Sequence, residues 1–121
     1  MSPPTDTAWQ CGPAEAAILH TGKHTGQTIK ACIRVHDEKL ELRGILYSTV
    51  ADWDEQIVLV LMDSAYTDDG SYYSPVCTAT YCEFTVTMVP PSRGEWTVLP
   101  EWERYNGDYE SAGSDAGFVD F

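Results

Sequence analysis

The placement of four cysteines limits this chain more than any other feature: Cys11 and Cys32 stand well apart, while Cys77 and Cys82 are close neighbours. Four thiols allow three pairings. Only Thr78, Ala79, Thr80 and Tyr81 separate Cys77 from Cys82, so a local bridge is the natural choice and leaves Cys11 to Cys32. That second bridge would fasten an amino-terminal arm to the first strand. By restricting the unfolded chain, each bridge contributes on the order of 2–3 kcal/mol. Paired cysteines belong to an oxidising compartment, so an exported, extracellular protein is expected. They also leave no thiolate free for nucleophilic attack.

Zinc is the competing account, with Cys11, His20, His24 and Cys32 as ligands. Sites of that class place two cysteines a few residues apart beside their histidines. Here the close pair, Cys77 and Cys82, lies far along the chain from His20 and His24. Residues 20–27 therefore read as a Gly/Thr loop that happens to carry histidines, and neither metal nor cofactor is expected.

A chain of 121 residues suffices for one domain. We expect an arm and loop over 1–27, then a β domain over 28–121. Lys and Arg number 7 against 19 Asp and Glu, a net charge of −12. So acidic a surface repels nucleic-acid phosphates and anionic lipids, so neither nucleic acid nor membrane insertion is expected. The longest apolar run, Ile57 to Met62, is strand-sized and far below the ~18 residues of a bilayer span. The start, Met1-Ser2-Pro3-Pro4-Thr5-Asp6, lacks the basic and apolar segments of a secretion signal. Either the chain is cytosolic as written, or a leader has been removed and Met1 is not native; the cysteines favour the second.

From Thr28 the pattern has period two. Ile29, Ala31, Ile33 and Val35 share one face, opposite Lys30, Cys32, Arg34 and His36. Asp37-Glu38-Lys39 turns the chain, and Leu40, Leu42, Gly44 and Leu46 alternate against Glu41, Arg43 and Ile45, which predicts a hairpin with one buried face. Ile57 to Met62 is apolar on both faces and predicts a central strand. Thr67-Asp68-Asp69-Gly70-Ser71, with its Asp-Gly step, predicts a tight reversal. Strands are then predicted near Tyr72–Cys77, Cys82–Val89, Glu95–Leu99 and Gly117–Phe121. Seven or so short strands with regular turn signals predict an all-β fold: a small antiparallel β-sandwich of immunoglobulin-like kind, with an extended arm and two disulfides.

Nothing in the sequence specifies a reaction. A serine hydrolase of the nucleophile-elbow kind would show Gly-x-Ser-x-Gly, which is missing. His36-Asp37 adjoin at a turn, where such a pair is ordinarily solvated. The carboxylate pairs Asp52/Asp54, Asp68/Asp69 and Glu101/Glu103 need a cleft to separate their pKa values before they do acid–base work. The oxygen-rich loops 63–69 and 106–115 do not follow EF-hand spacing. The aromatic residues carry more. Trp9 lies in the arm, Trp53, Tyr66, Tyr72, Tyr73 and Tyr81 fall in or beside predicted loops, and Trp102 sits in the acidic segment Pro100-Glu101-Trp102-Glu103-Arg104. Aromatic side chains in such places anchor protein contacts, so Trp9, Trp53, Tyr72, Tyr73, Tyr81 and Trp102 are the candidate partner-binding residues. The competing account places Trp96 and some tyrosines in the core.

Five segments together carry a resemblance: Trp9-Gln10-Cys11-Gly12, Ile29 to Val35, Cys77-Thr78-Ala79-Thr80-Tyr81-Cys82, Glu95-Trp96-Thr97 and Tyr109-Glu110-Ser111-Ala112-Gly113. In them the chain resembles small secreted β-sandwich proteins of Streptomyces-type actinobacteria, and within that group the adaptor subunits of umbrella toxin particles. The resemblance implies a non-enzymatic adaptor that bridges larger components of an extracellular antibacterial toxin complex, with another protein as partner. The Cys-x4-Cys spacing is also similar to that of enediyne apoprotein carriers, whose Gly/Ala-rich strands are not matched. Two further readings stand beside the adaptor. One is an inhibitor of a secreted hydrolase or protease presenting the loop near Cys77–Cys82; the other is a small secreted enzyme or toxin.

Overall fold

The computed structural model describes residues 2–18, 24–47, 55–77, 80–104 and 110–121, and no helix occurs among them. The strands are β1 (Gln10–Cys11), β2 (Glu15–Ile18), β3 (His24–His36), β4 (Lys39–Tyr47) and β5 (Glu55–Asp63), then β6 (Asp68–Tyr73), β7 (Tyr81–Met88), β8 (Glu95–Arg104), β9 (Glu110–Ala112) and β10 (Val119–Asp120). They form two antiparallel sheets. In the first, β1 and β2 lie end to end along one side of β3, with β4 and then β7 on the other; in the second, β10 and β9 lie along one side of β8, with β5 and then β6 on the other.

Period-two alternation drives the sandwich, because successive side chains of a strand point to opposite faces. Ile29, Ala31, Ile33 and Val35 of β3, with Leu40, Leu42 and Leu46 of β4, turn inward against Ile57, Leu59 and Leu61 of β5 and Trp96, Val98 and Trp102 of β8. Each such aliphatic side chain stabilises the fold by about 1.5–3 kcal/mol on burial. At Gly44 the backbone of the first sheet lies close under the side chains of the second. A Cβ there would lie 2.6 Å from Ile57 Cγ2 and 2.9 Å from Leu59 Cδ2.

The pairings β4–β7 and β5–β8 skip along the chain, while β3–β4 and β5–β6 are consecutive hairpins. This is the connectivity of an immunoglobulin-like sandwich, in which strand B pairs with E and C with F. β7 occupies the E place. The D strand, which would pair with its far side, has no counterpart among the described residues. The reason is length: β6 ends at Tyr73, β7 starts at Tyr81, and the Cys77–Cys82 bridge ties the connection to the head of β7.

Both expected disulfides, Cys11–Cys32 and Cys77–Cys82, are formed, so neither cysteine of the alternative zinc set is a thiolate. Three expectations need correction. The arm is fastened to β3 along its main chain as well as by its bridge: Thr7 N donates to the Val35 carbonyl, Val35 N donates to Thr7 Oγ1, and Gly12 N donates to the Ala31 carbonyl. Glu15 pairs with Ile29 and Ala16 with Thr28, so β3 begins at His24 rather than Thr28 and part of the expected 20–27 loop is strand.

The reversal after β5 lies at Asp63–Tyr66, not at Asp68-Asp69-Gly70. Asp63 Oδ1 accepts hydrogen bonds from the amides of Ala65 and Thr67, and Tyr66 takes the positive φ of 59°. An aspartate that captures amides two residues on makes its own turn. β6 therefore starts at Asp68 and stops at Tyr73 instead of running over Tyr72–Cys77. The third correction is β8, which continues to Arg104 past the expected end at Leu99. The β3–β4 turn lies where expected, with positive φ at both Asp37 (53°) and Glu38 (61°), as a two-residue hairpin loop requires.

Candidate functional site

A sheet edge offers unpaired N–H and C=O groups, and proteins blunt such edges with bulges, prolines, lysines or short strands. Three of the four edges here are blunted. β2 carries a register shift between Ala16 and Ile18, β6 opposes a shift between Leu61 and Met62, and β9 and β10 are short pieces separated along β8. β7 is different. Its 8 residues pair with β4 in unbroken register from Leu40↔Met88 to Tyr47↔Tyr81, and β4 is its only partner among the described residues. The strand holds neither lysine nor proline. Tyr81, Glu83, Thr85 and Thr87 are exposed, while Cys82, Phe84, Val86 and Met88 are half-buried against the core.

The outer face of the first sheet continues from this edge as a chain of side-chain contacts. Tyr47 and Tyr81 meet edge to face with centroids 5.1 Å apart. The Tyr81 hydroxyl donates to Glu83 Oε2 at 2.6 Å, and Glu83 is ion-paired with Arg43. The Arg43 guanidinium lies 5.8 Å from the centroid of Trp9, and Arg34 lies over the same ring at 4.5 Å while bonding Glu41. Exposed ion pairs and cation–π contacts contribute at most about 1 kcal/mol each, so this network sets side-chain positions more than it holds the fold.

The network shifts three ionisations, and the hydrogen bond to Glu83 raises the Arg43 guanidinium above its usual value. The hydrogen bond from Arg43, then that from Tyr81, holds the Glu83 carboxyl below the usual carboxylate range. The hydrogen bond to Glu83 raises the Tyr81 hydroxyl above the usual tyrosine value. A depressed carboxylate contributes above its unfolded pKa and loses that contribution as pH falls through the lowered value. A raised hydroxyl contributes below its unfolded pKa and loses it as pH rises through the raised value. The cluster is therefore intact from mildly acidic to mildly alkaline pH. In an NMR titration Glu83 is expected to protonate below the usual carboxylate range and Tyr81 to ionise above the usual tyrosine value. Glu83→Gln should return Tyr81 toward its ordinary value; an unchanged Tyr81 titration in that variant would count against the network.

The candidate partner-binding residues separate under this geometry. Tyr81 stands at the start of β7, 46% exposed, and Tyr73 is 56% exposed at the end of β6. Tyr72 turns inward and packs against the core, and Trp9 is half-buried beneath its two arginines. Trp53 lies outside the described residues. Trp102 requires correction: it is 0% exposed, paired with Ile57 across β5–β8, and belongs to the core. Trp96 is likewise buried, as the core reading had it. Tyr47, 47% exposed, is the residue sequence reasoning missed. The signal was the alternation of β4 itself, which carries Glu41, Arg43 and Ile45 outward and therefore Tyr47 after them.

His36 faces Asp6 at 3.7 Å in an exposed position, rather than Asp37. A depression of about 320 Å³ lies between the arm and the carboxy-terminal strand, lined by Pro3, Pro4, Thr5, Arg93 and Phe121 among others. Among the described residues no cluster of His, Cys, Asp and Glu could hold a metal ion. Comparison of the chain with protein-family models, curated proteins and solved structures finds no match.

Proposed function

We propose that this chain is a non-enzymatic protein-binding module of an extracellular, oxidising compartment, which takes up an extended segment of another polypeptide along β7. The observation that carries the reading is the unbroken length of that strand, with β4 its only partner among the described residues, beside the exposed Tyr47–Tyr81 pair. A strand added to an open edge gains main-chain hydrogen bonds, and its alternate side chains find pockets on the two faces. Each bond contributes about 0.5–1.5 kcal/mol net, so several in register give specific binding of moderate strength. The tyrosine rings bury apolar surface on contact while their hydroxyls stay wet, as interface anchors do. Two disulfides suit the compartment, and no helix among the described residues is long and apolar enough to cross a membrane.

A bridge between components of a toxin particle, the role implied by the resemblance, is a narrower form of the same reading, since a bridge needs a place to dock. The test uses the tagged protein as bait in culture supernatant, with amide hydrogen exchange measured on the captured complex. Exchange across Tyr81–Met88 is expected to slow about tenfold or more, the equivalent of about 1.4 kcal/mol. Slowing confined to other strands, or capture of no polypeptide, would overturn the reading.

A further inference from the structure

From Gly44 to Ser92 the sequence contains no lysine, arginine or histidine, yet it holds seven aspartates and glutamates. The fold gives this run of sequence a spatial meaning. β5, β6 and β7 all fall within it, and β6 and β7 are the edges that end the two sheets on the same side, since β3 faces β8 and β4 faces β5. One flank of the sandwich is thus built from strands without a cation of their own. Lys30, Arg34, Lys39 and Arg43 stand on β3 and β4, and of these Arg43 reaches the flank to pair with Glu83. Asp68 and Asp69 on β6 are exposed, and no ion pair among the described residues engages them.

We infer that the segment docking on β7 is a cationic strand, alternating lysine or arginine with apolar residues. The inference rests on β7 being a docking edge and adds the chemistry of the occupant. An added strand inherits the alternation of its neighbour. Its inward side chains meet the half-buried Phe84, Val86 and Met88 and must be apolar; its outward ones meet Thr85, Thr87 and the exposed face of Tyr81. β6 and β7 end the two sheets on the same side, so a strand on β7 extends the flank that carries the exposed Asp68 and Asp69 and whose own strands supply no cation. Cations on that strand gain from this field and from the tyrosine rings. A second copy of this chain is the poorer occupant, because two bodies of charge −12 repel each other.

Fluorescence anisotropy on the intact protein tests the inference with labelled peptides about as long as β7. Valine alternates with lysine in the first, with threonine in the second and with glutamate in the third. The fourth is the lysine peptide N-methylated at alternate residues. The lysine peptide is expected to bind about tenfold tighter than the threonine peptide and to weaken as salt rises from about 50 to about 300 mM. The glutamate and N-methylated peptides should not bind, and Asp68→Asn/Asp69→Asn should weaken the lysine peptide severalfold. Equal binding of the lysine, threonine and glutamate peptides would overturn the charge inference and leave the docking edge standing, as would an unchanged affinity in the double variant. Undiminished binding of the N-methylated peptide, or no binding by any peptide, would overturn the docking edge itself.

Discussion

Trp102→Ala is expected to lower the free energy of unfolding by about 3–5 kcal/mol, the range for deleting a fully buried large aromatic side chain. Trp102 is among the largest side chains wholly inside the protein and lies in the same cluster as Ile29, Leu46 and Ile57. Its removal forfeits burial and leaves a cavity that the packed sheets cannot easily collapse. Since a domain of this kind has a total stability of about 5–15 kcal/mol, the variant would lie near the limit of folding at physiological temperature. Tyr73→Ala, at an exposed position, is the control and should change stability by less than about 0.5 kcal/mol. Guanidinium denaturation followed by far-ultraviolet circular dichroism measures both. A loss under 1 kcal/mol for Trp102→Ala would restore this tryptophan to the surface role its acidic neighbours suggested.

The disulfides supply the second large effect, and the two bridges should differ. Cys11–Cys32 closes a sequence separation of 21, Cys77–Cys82 one of 5. In the chain-entropy account the longer loop restricts the unfolded state more, giving about 3 kcal/mol against about 2 kcal/mol. Replacing Cys11 and Cys32 together by alanine should therefore cost more than replacing Cys77 and Cys82. The arm adds to the difference. Once unbridged, β1 is held to β3 by a few backbone bonds at a sheet edge, where local opening is cheap. Denaturation of the two double variants under oxidising conditions gives the comparison directly. A smaller loss for the first pair would show that bridge strain or residual unfolded structure outweighs loop length.

The sandwich and its bridges were legible because their signals are short-ranged. Ile29 to Val35 and Leu40 to Leu46 alternate over single strands, and Cys77 and Cys82 are too close to need any other partner. The errors came where a local signal competed with pairing. Asp68-Asp69-Gly70 has the composition of a reversal, but Asp63 captures the chain first, and the glycine falls within β6. Pro100 reads as the end of a strand because it cannot donate to a ladder. In β8 its carbonyl still accepts from Gly113 N, and the strand runs on to carry Trp102 into the core. Trp96, Val98, Pro100 and Trp102 share one face, so the period was present and only the proline concealed it.

The candidate site was less legible. Tyr81 could be suspected from its place beside Cys82, but nothing local distinguishes it from Tyr72, which turns inward. What the chain's residues determined alone was the strand period, the cysteine partners and the cation-free run from Gly44 to Ser92. That β7 keeps one partner among the described residues, and that β6 and β7 end their sheets on the same side, was decided by the non-consecutive pairings β4–β7 and β5–β8. Those contacts join residues dozens of positions apart, and their free energy comes from burying two sheets against each other, a quantity no single stretch of sequence carries.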